Sequence, residues 1–258
     1  MTTSEKLTAI AENQQKVYDA GYEKGKAEGG GDTGNAAFWD FYQDNGNRTD
    51  YRNAFAGYGW TVDVFKPRHN IAPTDAYMMF RDTGMSGDLV EILNELGVTL
   101  DFSNCTRPQY SFSGTNFTRL GVLDFSKAKN GANSSYLFTW SPNLVAIDGL
   151  HFNPNITDFS SGHNLFVSCP KLANIGYTAV DENGNEIIGG VSGIASNNIS
   201  FTSCPLTAHS LRNILNGLVD YSQDTSGTSW VLTLGASNLA KLSDADKAVA
   251  SQKGWTLA

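Results

Sequence analysis

One phrase of the sequence occurs twice: residues 137–147 read LFTWSPNLVAI, and residues 165–175, 28 positions later, read LFVSCPKLANI. A looser copy covers residues 112–120, and a partial copy, FTSCPL, covers residues 201–206. Self-similarity at such a period is typical of stacked repeats, in which no unit can bury its apolar face alone. The sequence therefore predicts a stacked-repeat solenoid over residues 98–206.

Short strands are predicted within these repeats from the alternation of apolar and polar residues. The tetrapeptide LDFS occurs at residues 100–103 and again at residues 123–126. Because successive side chains of a strand point to opposite faces, the residues between the apolar positions point outward. In a stack they form a polar and acidic column, which consists of Asp101, Asp124 and His151. We predict that this column binds a partner; a solvated sheet face, whose charges oppose edge aggregation, fits the pattern at least as well.

The first 28 residues predict a helix with a seam for self-association. Leu7, Ile10, Gln14 and Val17 follow the alternating spacing of three and four residues that defines a heptad seam. A helix of this length is marginal alone in water, so we expect copies of the chain to cover the seam. The sequence predicts a homo-oligomer, most simply a trimer, joined through these residues. A tail that docks on its own domain is the alternative.

The rest of the chain divides by composition. Residues 29–35 form a glycine-rich linker, and residues 36–97 form an aromatic-rich N-terminal cap. Residues 207–258 form a C-terminal cap, with a helix, a strand and a second helix. Thr207 and Ser243 are the predicted N-caps of the two helices.

Two local signals predict elements at the borders of the repeats. The apolar residues between Leu89 and Leu96, closed by Gly97, predict a short amphipathic helix. The dipeptide Asn183-Gly184 predicts the turn of a β-hairpin inserted into the stack.

Charge and hydropathy argue against two classes of partner. The formal net charge of −8 opposes a nucleic-acid partner, because counterion release requires clustered lysine and arginine. No apolar run approaches the length of a membrane span, and the polar start of the chain lacks the apolar core of a signal peptide. We therefore expect a protein made in the cytoplasm, without membrane insertion and without nucleic-acid binding.

No familiar catalytic, cofactor or metal-binding motif occurs in the sequence. Cys105, Cys169 and Cys204 are odd in number and lack a C-x-x-C spacing, so they are predicted to be buried free thiols. The carboxylates of Asp101, Asp124 and Asp158 could serve a glycosidase, but their recurrence at equivalent positions favours a structural or solvated role. The prediction is a protein that is not an enzyme and needs no cofactor or metal.

The repeated phrase, L-F-x-x-[SC]-P-x-L-x-x-I, resembles the leucine-rich repeat of BspA-like bacterial surface antigens. The C-terminal motifs resemble the ending of repeat proteins encoded by bacteriophages and prophages of gut Firmicutes; they are SCPL at 203–206, SGTSW at 226–230 and KGW at 253–255. The resemblance covers about residues 60–258. It implies a virion structural or host-attachment part, of a tail or fibre, and it brings no catalytic residues with it.

With this resemblance, the predicted fold class is α+β: an N-terminal oligomerising helix followed by an irregular leucine-rich-repeat solenoid with helical caps. The predicted function is a non-catalytic phage structural or host-attachment protein. It would be located in the virion, joined to other virion proteins through the N-terminal helix, and would contact a host-surface glycan or protein. The alternatives are a bacterial cell-surface adhesin with the same repeats and, more distantly, a glycan-active enzyme. The turns at residues 127–135 and the hairpin near Asn183 are an alternative contact surface.

Overall fold

The computed structural model describes residues 47–258, except for residues 64, 68, 130–135, 158–164, 178 and 197–198. The predicted oligomerisation residues, Leu7, Ile10, Gln14 and Val17, lie outside the described residues, as does the glycine-rich linker. The oligomeric state therefore stays a prediction.

The described part of the chain contains short strands, most of them in its middle, and short helices. The strands are β1 (Ser86–Asp88), β2 (Asn116–Phe125), β3 (Ala146–Phe152), β4 (Asn174–Ile175), β5 (Ala179–Val180), β6 (Glu186–Ile187), β7 (Val191–Ser192), β8 (Trp230–Leu232) and β9 (Trp255–Leu257). The helices are α1 (Leu89–Leu96), α2 (Ala208–Asn216), α3 (Ala236–Leu239) and α4 (Asp244–Gln252).

A parallel sheet of five strands organises the middle of the chain. Its order is β1-β2-β3-β4, and β7 pairs with β3 as well. In the central pair, Leu120 lies opposite Ile147 and Leu123 opposite Leu150. These four side chains are buried. The two in each strand are three residues apart, so burial in this pair does not follow a strict alternation.

The predicted fold class, α+β with an irregular leucine-rich-repeat solenoid and helical caps, is wrong. The described residues form a mixed α/β arrangement with a five-stranded parallel sheet and few helices. Alternation in a sequence shows which side chains face the core. It carries no information about the hydrogen-bonding partner of a strand or about its direction. The alternation alone therefore does not give the parallel pairing of β1, β2 and β3 in one sheet.

A column of phenylalanine rings fills the core beside the sheet. The column contains, in order, Phe55, Phe80, Phe112, Phe138, Phe166 and Phe201. Successive ring centroids are 4.8 to 6.1 Å apart, with angles of 12° to 29° between ring planes. All six rings are buried. Each repeat thus adds one ring to a continuous apolar core, and offset stacking adds to the gain from burial.

A small polar side chain ties each later turn to the one before it. Ser141, Cys169 and Cys204 each donate to the carbonyl oxygen of the column phenylalanine in the preceding turn, at 2.8, 3.0 and 4.0 Å. All three cysteines of the chain are buried and free, as the sequence predicted. Burial raises the pKa of the Cys169 thiol to about 11 and that of Cys204 to about 12.

The predicted helix ends are confirmed. Thr207 caps α2, and its hydroxyl accepts from the backbone N–H of Ser210. Ser243 and Asp246 form a capping box at the start of α4. Gly97 closes α1 with φ of 67°, a left-handed conformation that glycine adopts without strain.

The predicted hairpin is also confirmed. β5 and β6 pair antiparallel around the Asn183-Gly184 turn. The Asp181 carboxylate accepts from the side-chain amide of Asn185 and from the backbone N–H groups of Asn185 and Asn183, and these hydrogen bonds lower the pKa of Asp181. Turn chemistry within five residues is sufficient to specify this element.

Candidate functional site

The sheet places two of the predicted binding residues directly opposite each other. Asp124 in β2 pairs with His151 in β3, and His151 pairs with Ser192 in β7. The ring Nδ1 of His151 lies 2.9 Å from the Ser192 hydroxyl. These three residues form a continuous polar row across three parallel strands.

The third predicted residue, Asp101, lies beside this sheet rather than within it. The residue before it, Leu100, pairs with Ile71 in an isolated parallel bridge. The residue after it, Phe102, has its ring 5.3 Å from that of Phe125, which follows Asp124. Asp101 is therefore on a neighbouring layer, and among the described residues no strand pairing joins it to the polar row.

The acidic residues of the column have a local structural role, one of the two roles that their recurrence in the sequence favours. The Asp101 carboxylate accepts from the backbone N–H of Ser103 at 2.8 Å, and the Asp124 carboxylate accepts from that of Ser126 at 2.9 Å. Such bonds, from a side-chain oxygen to the N–H two residues on, form Asx-turns. Each aspartate thus turns the chain out of its strand, which explains why the LDFS phrase recurs.

An arginine on the sheet that the sequence reasoning missed joins two carboxylates. Arg119 in β2 donates through Nε and Nη2 to the two carboxylate oxygens of Asp148, each at 2.8 Å. Its Nη1 lies 3.5 Å from Asp88, whose carboxylate also caps α1 by accepting from Val90 and Glu91. The paired hydrogen bond with Asp148 raises the pKa of Arg119. This part of the sheet is thus fixed by charge-assisted hydrogen bonds.

A polar ladder runs along the start of the same strands. Lys171 donates to the side-chain oxygen of Asn143 at 2.8 Å, and the Asn143 amide donates to that of Asn116 at 3.2 Å. The three residues occupy matching positions in successive repeats. Their donors and acceptors are held in place by one another.

A tyrosine column lies on the turns of the earlier repeats. The rings of Tyr110 and Tyr136 stack 4.8 Å apart, and Tyr77 meets Tyr110 edge-on at 6.1 Å. The guanidinium of Arg107 lies 4.1 Å above Tyr77, and that of Arg81 lies 5.3 Å from the centre of Tyr110. Burial raises the pKa of Tyr110. The tyrosine rings thus contact one another and two guanidinium groups of the same protein.

A charged cluster attaches the hairpin to α2. Glu186 of β6 accepts from Arg212 and lies 3.3 Å from Nδ1 of His209. The hydrogen bond from Arg212 lowers the pKa of Glu186. Every group in this cluster has a charged or polar partner, so it acts as a clamp between two elements.

The described part of the chain offers neither a metal-binding cluster nor a membrane-spanning helix. In that part of the chain, no group of three or more His, Cys, Asp or Glu side chains could hold a metal ion. None of its helices is long and apolar enough to cross a membrane.

The surface of this chain presents hydrogen-bond donors and acceptors in fixed positions on the sheet, and aromatic groups on the turns. These groups suit the non-covalent binding of a ligand. No family model, curated protein or solved structure matches the chain.

Proposed function

We propose that this chain is a non-catalytic part of a phage particle, of the tail or fibre type, that attaches to the surface of the host cell. The likeness of its C-terminal motifs to those of phage-encoded repeat proteins supports a place in the virion. In this proposal, the N-terminal helices of several copies, most simply three, join the chain to itself and to other virion proteins.

The observation that carries the binding role is the ordered polar surface of the sheet. The row of Asp124, His151 and Ser192 lies on strands that are fixed by backbone pairing. Side chains already held in one conformation lose little entropy on binding, which favours affinity. A surface with these groups suits hydrogen bonding to a glycan or a protein loop and repels anionic polymers.

The geometry of the aspartates supports a non-catalytic role. One oxygen of Asp101 and one of Asp124 accept from the backbone of their own turns. A glycosidase needs two carboxylates facing each other across a sugar, free to exchange protons. The carboxylates of Asp101 and Asp124 lie on successive layers and stabilise Asx-turns instead.

The location is tested by proteomics and immunogold labelling of purified virions. The proposal requires the chain in the particle at a fixed copy number, in multiples of three. Its presence only in the envelope fraction of uninfected bacteria would overturn the proposal and favour the adhesin.

The binding surface is tested with the triple substitution Asp101→Asn, Asp124→Asn and His151→Gln in the full chain. Asparagine keeps the Asx-turn acceptor and removes the charge, so folding is retained. We expect at least a tenfold loss of adsorption to host cells. The control Asp244→Asn, at an exposed position in α4, removes a charge away from the sheet and leaves adsorption unchanged. Normal adsorption of the folded triple variant would exclude this surface.

A further inference from the structure

Trp140 occupies an unusual position on the turns. Its side chain is 55% exposed, and its φ is 59°, in the left-handed region. Positive φ also occurs at the matching position of each neighbouring turn, namely at Gly57, Asp82, Gly114 and Ser168. The conformation is therefore a property of the turns, and what distinguishes Trp140 is a large, exposed side chain at this position.

The neighbours of Trp140 leave its indole uncovered. Backbone hydrogen bonds from Gly114 to Thr139 at 2.8 Å and from Trp140 to Val167 at 2.9 Å place this residue between Gly114 and Ser168. Neither neighbour has a side chain large enough to cover an indole face. The tyrosine column differs, because its rings cover one another.

A charged pair lies beyond Gly114, on the turn before it. A Cβ atom at Gly114 would lie only 2.1 Å from Oδ1 of Asp82, so the Asp82 carboxylate extends over the glycine. Nε of Arg81 lies 3.2 Å from the other Asp82 oxygen. An acceptor and a donor, together neutral, therefore lie on the turn before Gly114, two turns from Trp140 and within the reach of one oligosaccharide.

We infer that Trp140, Asp82 and Arg81 form a binding site for a neutral carbohydrate. The negative face of the indole attracts the polarised C–H bonds of a sugar ring, while Asp82 and Arg81 bond its hydroxyl groups. A neutral sugar fits because the ion pair is balanced and the whole chain is acidic, with a net charge of −8. This inference deepens the proposed function by naming a ligand class, and it rests on that function only for the source of the glycan.

The test is a titration of the full chain, labelled with 15N, with a panel of neutral hexose and N-acetylhexosamine oligosaccharides. The indole N–H signal of Trp140 is assigned by its loss in Trp140→Phe. At least one oligosaccharide should shift this signal. The indole N–H signal of Trp255, which donates to the Val219 carbonyl, should not move.

Two variants locate the site. Trp140→Gly should weaken binding of that oligosaccharide at least tenfold, while the chain stays folded, because glycine adopts positive φ without strain. Asp82→Asn should weaken it several-fold. Tyr177→Ala removes a ring that is 49% exposed beyond the end of β4, away from all three site residues, and should leave binding unchanged.

The inference is overturned if no oligosaccharide in the panel shifts the Trp140 signal up to its solubility limit, or if Trp140→Gly binds like the natural chain. Lost virion assembly in Trp140→Gly, with unchanged sugar binding, would also overturn it and assign Trp140 to a protein contact. A chain that binds sugar through Trp140 but is missing from virions would refute only the proposed function.

Discussion

The described chain satisfies its backbone in two different ways on either side of Leu206. Before it, each turn donates backbone N–H groups to the next turn, as from Phe80 to Ser111 at 2.9 Å and from Phe112 to Leu137 at 3.0 Å. Side chains there mainly supply apolar volume. The stack depends on how well its rings fit.

After Leu206, single polar side chains each bond several backbone carbonyls. The amide of buried Asn238 donates to the carbonyls of Phe201, Cys204 and Leu234, at 2.9 to 3.1 Å. Lys253 donates to three further carbonyls, and burial lowers its pKa. Helix ends and irregular loops leave carbonyls without backbone partners, and polar side chains must supply them. The first region should therefore be sensitive to lost volume and the second to lost hydrogen bonds.

The largest expected effect comes from breaking the ring column. Phe138→Ala removes a buried ring that stacks on Phe112 and on Phe166, 6.1 and 5.2 Å away. The lost apolar transfer and the cavity together cost about 3–5 kcal/mol in the free energy of unfolding. Denaturant unfolding followed by circular dichroism measures this loss.

Phe138→Leu is the matched variant, since it keeps most of the volume and should cost about half as much or less, on the order of 1.5 kcal/mol. Val145→Ala, at a side chain 38% exposed, should stay within about 0.5 kcal/mol of the natural chain. Equal losses for Phe138→Ala and Val145→Ala would show that the column is not the main core.

The second prediction concerns the border between the two regions. Asn213, buried in α2, donates to the carbonyls of Ile175 and Tyr177 and accepts from the N–H of Gly189. Asn213→Ala leaves these groups unsatisfied, which costs about 2–3 kcal/mol. The same unfolding measurement tests it.

Asn216→Ala is the control, because Asn216 is exposed on the same helix and its amide bonds only the Arg212 carbonyl. We expect a change of about 0.5 kcal/mol or less. If both alanine variants were equally stable, the idea that side-chain amides stabilise the second region would be wrong.

Part of this comparison could be predicted from the sequence. The 28-residue spacing makes Phe138 and Phe166 equivalent, and their rings do stack. The caps at Thr207 and Ser243 could be predicted because capping depends on residues within one helical turn. Features that depend on neighbouring residues or on exact repetition can therefore be predicted from the sequence.

Long-range polar contacts and backbone strain could not be predicted. Arg119 donates to Asp148, which is 29 residues further along the chain, and no pattern in the sequence relates the two residues. Tyr110 and Tyr136 adopt φ of 61° and 56°, a conformation in which glycine is the ordinary residue. A tyrosine in the sequence gives no sign of this left-handed backbone. For the same reason Trp140, although part of the repeated phrase, could not be distinguished from a buried aromatic.

The third prediction concerns the pH dependence of stability that the buried Cys169 thiol in the ring column causes. Burial raises the pKa of Cys169 from its ordinary value of 9.0 to about 11. Between these values the unfolded chain has lost the thiol proton and the folded chain keeps it. The thiol's contribution is therefore complete below pH 9 and falls by about 1.4 kcal/mol per pH unit above it.

Cys169→Ser measures this, because serine already occupies the equivalent position at Ser141 and does not titrate in this range. The stability difference between the natural chain and the variant should be constant below about pH 9 and should then shift in favour of the variant by about 1.4 kcal/mol per pH unit. Parallel pH profiles for the two proteins would show that the thiol is accessible to water in the folded state.

The smallest effect is expected at a helix end of the second region. The Ser243 hydroxyl accepts from the Asp246 N–H at 3.2 Å, while the Asp246 carboxylate accepts from the Ser243 N–H at 2.9 Å. Ser243→Ala breaks half of this capping box and should cost about 1 kcal/mol. Ser251→Ala, exposed near the other end of α4, loses only a bond to the Ala248 carbonyl and should change stability by less than about 0.5 kcal/mol. Equal effects of the two substitutions would mean that α4 is held by packing alone, as the ring column is. The contrast between the two regions would then not extend to the end of the chain.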